Sequence, residues 1–169
     1  MLKVKSVRTI GFVGDDERIV RELTTPFSRK KHSNCFYYKS ALYRVENVED
    51  AAVRVVVFSA VELYCGFEQL FDLCENPKCV VFITDCKRAS KMGIKIDKGR
   101  LKYMLGCPVI FDKANSVSGL NKLLNAIHIV SDTPSYYTAC ENPMLARRCV
   151  LSLKESLFSR IIKIFSNRK

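Results

Sequence analysis

Val53 to Phe58 (VRVVVF) carries one polar residue, and Cys79 to Ile83 (CVVFI) carries none. Apolar runs of this length, without alternation, predict strands buried on both faces, as in a parallel sheet. Between them Phe67, Leu70, Phe71 and Cys74 recur at helical spacing, and Asn76-Pro77 ends the helix they predict. After Ile83 a polar helical run (CKRASKM) stops at Gly93, which suits the left-handed position past a helix end. Ile94 and Ile96 flank Lys95 in a short half-buried link. Asp97 is an N-cap for a helix from Lys98 to Leu105, with Leu101, Met104 and Leu105 on one face, and Gly106 ends it. Pro108 opens a buried strand, Val109-Ile110-Phe111. Asn115 to Gly119 then turns the chain into a helix carrying Leu120, Leu123, Leu124 and Ile127.

Upstream, Val7 to Val13 (VRTIGFV) reads as a strand ending at Gly14. Asp15, Asp16 and Glu17 suit the positive end of the helix that follows, whose apolar face is Ile19, Val20 and Leu23 and whose stop is Thr24-Thr25-Pro26. Cys35 to Leu42 and Tyr43 to Val45 form one or two further strands, and Glu46 to Asp50 a loop. Strands alternating with helices predict an α/β fold with right-handed crossovers. Past residue 130 a polar stretch, 131–143, precedes a last helix from Met144 to Phe165. Its apolar stripe is Val150, Leu153, Leu157, Ile161, Ile164 and Phe165. The expected organisation is therefore an α/β domain over 1–130, with a loop and an amphipathic helix over 131–169.

A chain of 169 residues, 48% hydrophobic and 27% charged, suits one domain with a full core. No apolar run approaches the length of a membrane span, and the first residues alternate like a strand rather than forming a signal peptide, so a cytoplasmic protein is expected. The net charge of +11 favours acidic partners. Within Met144 to Lys169 seven residues are basic and one acidic, a composition that fits packing of the stripe on the domain, with an anionic membrane surface as the alternative. The basic loop Arg29-Lys30-Lys31-His32, followed by Phe36, Tyr37 and Tyr38, lacks a recognition helix or sheet-aromatic motif, so nucleic acid is not the expected partner. The eight cysteines (35, 65, 74, 79, 86, 107, 140, 149) include no pair at the two-residue spacing of zinc or redox motifs; reduced thiols serving as small hydrophobes are expected, and no metal. No G-x-S-x-G, H-E-x-x-H or G-x-G-x-x-G occurs. Asp15 to Glu17 read as a solvated helix start rather than a cation site, and Cys65 as a structural thiol without a histidine partner nearby in sequence.

The order helix, Gly-Ile-Lys-Ile-Asp, short helix, Leu-Gly-Cys-Pro-Val-Ile, loop, Gly-Leu-Asn-Lys-Leu-Leu, spanning Lys91 to Leu124, resembles the back half of the cytosolic G domain of the bacterial ferrous iron transport protein B. The resemblance implies a three-layer, Ras-like (P-loop NTPase-type) fold, shortened and mostly parallel, with a basic helix appended. It also implies where four nucleotide-handling elements should lie. The phosphate loop G-x-x-x-x-G-K-[ST] falls on Gly14 to Arg21: Gly14 matches, while Ile19 stands for the second glycine, Val20 for the lysine and Arg21 for the hydroxyl residue. Three carboxylates, Asp15 to Glu17, occupy the place of phosphates; like charges about 4 Å apart repel by roughly 1 kcal/mol even in bulk water. The γ-phosphate sensor D-x-x-G is missing ahead of Val53, and no switch threonine is assignable. The guanine-reading N-[KM]-x-D falls on Thr84-Asp85-Cys86-Lys87, with Lys87 inverting the charge of the base-reading carboxylate, and the companion Ser-Ala on Lys113-Ala114.

Four altered elements together predict a degenerate G domain with no bound cofactor, acting as a pseudo-GTPase through protein contact, on a membrane transporter or near the membrane. The competing expectation is a divergent GTPase that keeps nucleotide binding, its lysine supplied by another residue or a partner chain. A third is a peripheral membrane module acting through the last helix.

Overall fold

The computed structural model describes residues 7–27, 34–75, 78–133 and 143–153. In chain order the strands are β1 (Arg8–Gly14), β2 (Cys35–Tyr38), β3 (Ala41–Glu46), β4 (Val53–Ser59), β5 (Cys79–Thr84), β6 (Ile94–Ile96), β7 (Val109–Phe111) and β8 (Leu151–Leu153). The α-helices are α1 (Glu17–Thr24), α2 (Phe67–Leu73), α3 (Cys86–Lys91), α4 (Lys98–Leu105), α5 (Val117–Asp132) and α6 (Pro143–Val150). Six strands form one sheet in the order β2-β3-β1-β4-β5-β7, every neighbouring pair parallel except β2 with β3.

The long apolar runs take the central places. All six residues of β5 are buried, and Val55 to Phe58 of β4 are fully enclosed. One face of the sheet packs with α1 and α5 through Ile10, Val57, Phe82, Leu23, Leu123 and Ile127. The opposite face packs with α2, α4 and α6 through Val56, Phe58, Val81, Leu70, Leu101, Leu105 and Val150. This is the three-layer α/β architecture that the strand–helix alternation predicts. Asp97 caps α4 by accepting from the Arg100 amide at 3.0 Å, and Gly106, at φ 62°, ends it.

Three features depart from the expected elements. The strand expected over Cys35–Leu42 is a hairpin that turns at Lys39 and Ser40, both left-handed (φ 45° and 64°), so β3 begins at Ala41. The link at Ile94–Ile96 is a strand. The last helix ends at Val150 rather than continuing to Phe165, because Leu151-Ser152-Leu153 alternates and pairs antiparallel with β6 (Ile96 opposite Leu151, Ile94 opposite Leu153). The Asp97 amide donates to the Val150 carbonyl at 2.8 Å, closing the small sheet against α4. Residues 154–169, which hold most of the expected basic helix, and the basic loop at 29–32 lie outside the described residues.

The passage from β3 to β4 shapes the functional edge. Gly11 of β1 stands opposite Glu46 on β3 and opposite Arg54 on β4. The chain therefore crosses from one side of β1 to the other within residues 47–52, without a helix. It lies directly over Gly11: a Cβ there would come 2.4 Å from Val48 Cα and 2.9 Å from Ala51 Cβ. The Ala52 amide donates to the Thr9 hydroxyl at 2.8 Å and pins the crossover. Only glycine fits beneath it.

Candidate functional site

Open α/β sheets bind ligands beyond the carboxyl ends of their parallel strands. Here that edge gathers the β1–α1 turn, the end of β4, the β5–α3 junction and the β7–α5 loop.

The β1–α1 turn is two residues long. Asp16 is the N-cap of α1, its carboxylate accepting from the Arg18 amide at 2.8 Å. A phosphate loop needs four residues between its first glycine and its second, enough backbone to wrap N–H groups around phosphate. After Gly14 that length is absent among the described residues. Gly14 itself answers to packing: a Cβ would lie 2.2 Å from the Val57 carbonyl oxygen and 3.0 Å from Val20 Cγ2. Val20, at the lysine's place, covers the strand end. Ile19 is buried in the α1–α5 layer and Arg21 is exposed on the far side of α1.

Asp15 turns inward. Its two carboxylate oxygens accept from the Ser59 backbone amide at 3.2 and 3.0 Å, so a side-chain anion takes the donor at the end of β4. Burial pushes the Asp15 carboxyl above its ordinary range, the Ser59 amide opposes that rise, and Glu62 and Asp16 add to it. The Ser59 hydroxyl in turn donates to Asp85 at 3.3 Å and accepts from the Val61 amide. Asp85 holds a left-handed conformation (φ 54°) at the start of α3, a strained one for a residue other than glycine. Asp15, Ser59 and Asp85 thus form a continuous polar seam across β1, β4 and β5.

The sensor position is the crossover described above. β3, the strand ahead of Val53, ends level with Gly11, three residues short of Gly14, and Glu46-Asn47-Val48-Glu49 follows where a D-x-x-G would begin.

The positions expected for guanine reading do converge. Thr84, Lys87, Lys113 and Ala114 line one cavity of about 970 Å³, together with Ile19 from α1. Gly14, Val20 and Arg21 do not reach it. Its charged lining is mainly cationic: Arg18, Lys87, Arg88, Lys91, Lys98 and Lys113 stand with three acids, Glu22, Asp85 and Asp112. Lys98 Nζ lies 4.8 Å above the Phe111 ring. Asp112 is committed to its own loop. The Lys122 ammonium, the Ser116 hydroxyl and the Lys113 amide all donate to it, and they hold its carboxyl down at about 2. Ser116 also caps α5, accepting from the Gly119 amide at 2.7 Å. Gly119 is required there, because a Cβ would meet Asp112 Cβ and Ser116 Oγ, each at 2.9 Å.

A second constellation has no motif in the sequence. Cys74, Cys79 and Cys107 bring their sulfur atoms within 4.8 Å of one another beneath α2. The Cys107 and Cys74 thiols as neighbouring donors, then the Arg54 guanidinium, hold the Cys79 thiol below its ordinary range against the cost of burial. The three are separated by 5 and 28 residues, read as 74, 79 and 107. Only the register of β5 against its neighbours unites them. Cys65, also considered from the sequence, is exposed and stands apart from this cluster.

A mostly parallel six-stranded sheet with one antiparallel edge strand, helices on both faces and these loops at its carboxyl edge has the Ras-like G-domain fold. No protein-family model and no curated protein matches the sequence. Solved structures do match. The cytosolic domain of the T. maritima FeoB iron transporter in apo form superposes with a TM-score of 0.65 at 17% identity, covering 80% of this chain and 68% of that one. The FeoB G-domain from Methanococcus jannaschii gives 0.57 at 20% identity, covering 76% of this chain and 99% of its own. The cytosolic domain of L. pneumophila FeoB gives 0.56 at 16% identity over 97% of this chain and 82% of that one. At these identities the likeness is one of fold, and it agrees with the resemblance carried by Lys91 to Leu124.

Among the described residues no helix is long and apolar enough to cross a membrane.

Proposed function

We propose that this chain is a pseudo-GTPase: a G-domain fold that does not hydrolyse GTP and acts as a protein-interaction or regulatory module. The observation that carries this reading is the two-residue passage from Gly14 to the N-cap Asp16. It leaves no backbone to cradle phosphate, and Val20 and the Asp15 carboxylate fill the strand end instead. The six-residue crossover at 47–52, in place of a γ-phosphate sensor, supports the same reading. Solved structures of like fold include cytosolic domains of an iron transporter. That supports a cytoplasmic location and a membrane transport protein as partner, with an anionic membrane surface nearby as a further contact for the basic C-terminal segment.

A second reading, a divergent GTP-binding protein, is favoured by one observation. The cavity at the base-reading end persists and is cationic. Calorimetric titration with GTP and GDP in the presence of magnesium, paired with thermal unfolding, separates the two. The pseudo-GTPase reading expects no heat of binding and no shift in melting temperature at millimolar nucleotide. Saturable binding with a concentration-dependent shift overturns it and moves the question to the hydrolysis rate.

A further inference from the structure

Cys74 closes the last turn of α2, Cys79 opens β5, and Cys107 stands two residues before β7. All three therefore sit at the amino ends of the strands, on the sheet face covered by α2 and α4, at the opposite end of β5 from the cationic cavity. All three are free thiols; Cys74 and Cys79 are buried and Cys107 is half-buried, which leaves a route to solvent. No histidine or carboxylate joins the cluster among the described residues.

Three sulfur donors without nitrogen or oxygen select a thiophilic cation. The spacing suits one. A metal–sulfur bond of about 2.3 Å places sulfurs roughly 3.8 Å apart around a tetrahedral ion. Sulfurs already within 4.8 Å of one another close on an ion by moving well under about 1 Å each.

The charge around the cluster points the same way. Arg54 is the register partner of Cys79 on β4, and the parallel pairing sets both on the same face of the sheet. Its Nη1 donates to the Leu73 carbonyl, the residue before Cys74, at 3.2 Å. Its Nε is buried without a hydrogen-bond partner, and no salt bridge joins Arg54 to a carboxylate among the described residues. A guanidinium held in an apolar layer with no carboxylate partner favours negative charge on the sulfurs beside it. Three thiolates around a divalent ion carry −1, and around a monovalent ion −2; either would supply it.

We infer that Cys74, Cys79 and Cys107 form a binding site for one thiophilic d10 metal ion, zinc or monovalent copper, with Arg54 balancing the charge of the metal–thiolate unit. Each sulfur forms a bond to the ion, and the protons still on the thiols pass to solvent. Zinc takes water or an incoming donor at its fourth position, on the half-buried Cys107 side; copper is satisfied by the three sulfurs. The site is independent of whether the other end of the sheet binds nucleotide.

The test uses the full chain, purified reduced and metal-free under anaerobic conditions. It is titrated separately with zinc, monovalent copper and ferrous iron against a chromophoric chelator, and each sample is then alkylated and mapped by mass spectrometry. One equivalent of zinc or copper is expected to bind. It should protect the half-buried Cys107 from alkylation, slow any reaction of the buried Cys74 and Cys79 further, and leave the other five cysteines reactive as before. The tighter of the two identifies the ion. Cys107→Ser, at the half-buried position, should weaken binding by more than about tenfold. The wild-type alkylation map carries the test if a serine variant fails to fold. No binding of either ion, protection falling on other cysteines, or preference for ferrous iron over both would overturn the assignment.

Discussion

Asp15 shows at the scale of one residue how this edge differs from a phosphate site. Its carboxylate accepts a backbone amide at the end of β4, so the protein meets its own donor with its own anion. The arrangement has a cost that pH exposes. Burial raises the Asp15 carboxyl above the ordinary 3.8, and Glu62 and Asp16 raise it further despite the Ser59 amide. A carboxyl raised by folding contributes stability that is present below its unfolded pKa and is lost as pH rises through the folded one, because the fold binds that proton more tightly than the unfolded chain does. Asp112 is the reverse case: held down at about 2, it contributes above 3.8 and loses that contribution as pH falls toward 2. At neutral pH the Asp15 charge therefore weighs against the fold. Asp15→Asn keeps an acceptor for the Ser59 amide and removes the charge. It should be the more stable protein at pH 7. That advantage should shrink as pH falls toward 3.8. Urea unfolding of both proteins from pH 3 to pH 8 checks it; a constant gap across the range would show that Asp15 ionises as it does in the unfolded chain.

The elements differ in how plainly their residues announce them. β4, β5 and β7 are apolar runs bounded by polar residues, and α4 carries Asp97 before it and Gly106 after it. Physical chemistry that is local in sequence suffices for these. β8 is the contrary case. Leu151-Ser152-Leu153 continues a helical stripe that begins in α6, and nothing nearby in sequence marks a strand. Its partner, β6, lies more than fifty residues earlier, and only the fold presents that open edge. The left-handed turn at Lys39-Ser40 escapes for a related reason, since neither residue type favours that conformation. At the site, one contiguous motif order places the positions expected to read the base, and they line one cavity, whereas the cysteine cluster depends on strand register. The strand reading of β8 makes a distinct prediction. Leu151 is buried and its neighbour Val150 accepts from the Asp97 amide. Leu151→Ala should cost about 2–4 kcal/mol. It should also speed amide exchange at Asp97 and along Ile94–Ile96 more than in β4. Unchanged exchange in β6 would mean that Leu151 stabilises the chain from a helix instead.

Across the whole molecule, the two ends of the sheet's carboxyl edge depart in different ways from the motifs that the resemblance implies. The positions expected to read the base line one cavity, and the difference from the motif there is one of side-chain chemistry, with Lys87 and Lys113 on the wall. At the end expected to hold phosphate the backbone itself is shorter than the motif: only two residues separate Gly14 from α1, and the crossover at 47–52 leaves no helix between β3 and β4. A change of side chain is reversed by substitution, while a missing loop is not. If loop length decides the matter, Val20→Lys combined with Arg21→Thr restores the lysine and the hydroxyl of a phosphate loop without restoring binding. The introduced ammonium would extend from within an intact helix, with no ring of amides to hold phosphate beside it. The double variant should show the same absence of a GTP-dependent melting shift as the wild type, and some loss of stability where the Val20 methyl leaves Gly14. A GTP- and magnesium-dependent rise in melting temperature in that variant alone would show that two side chains, rather than the path of the backbone, separate this fold from a nucleotide-binding one.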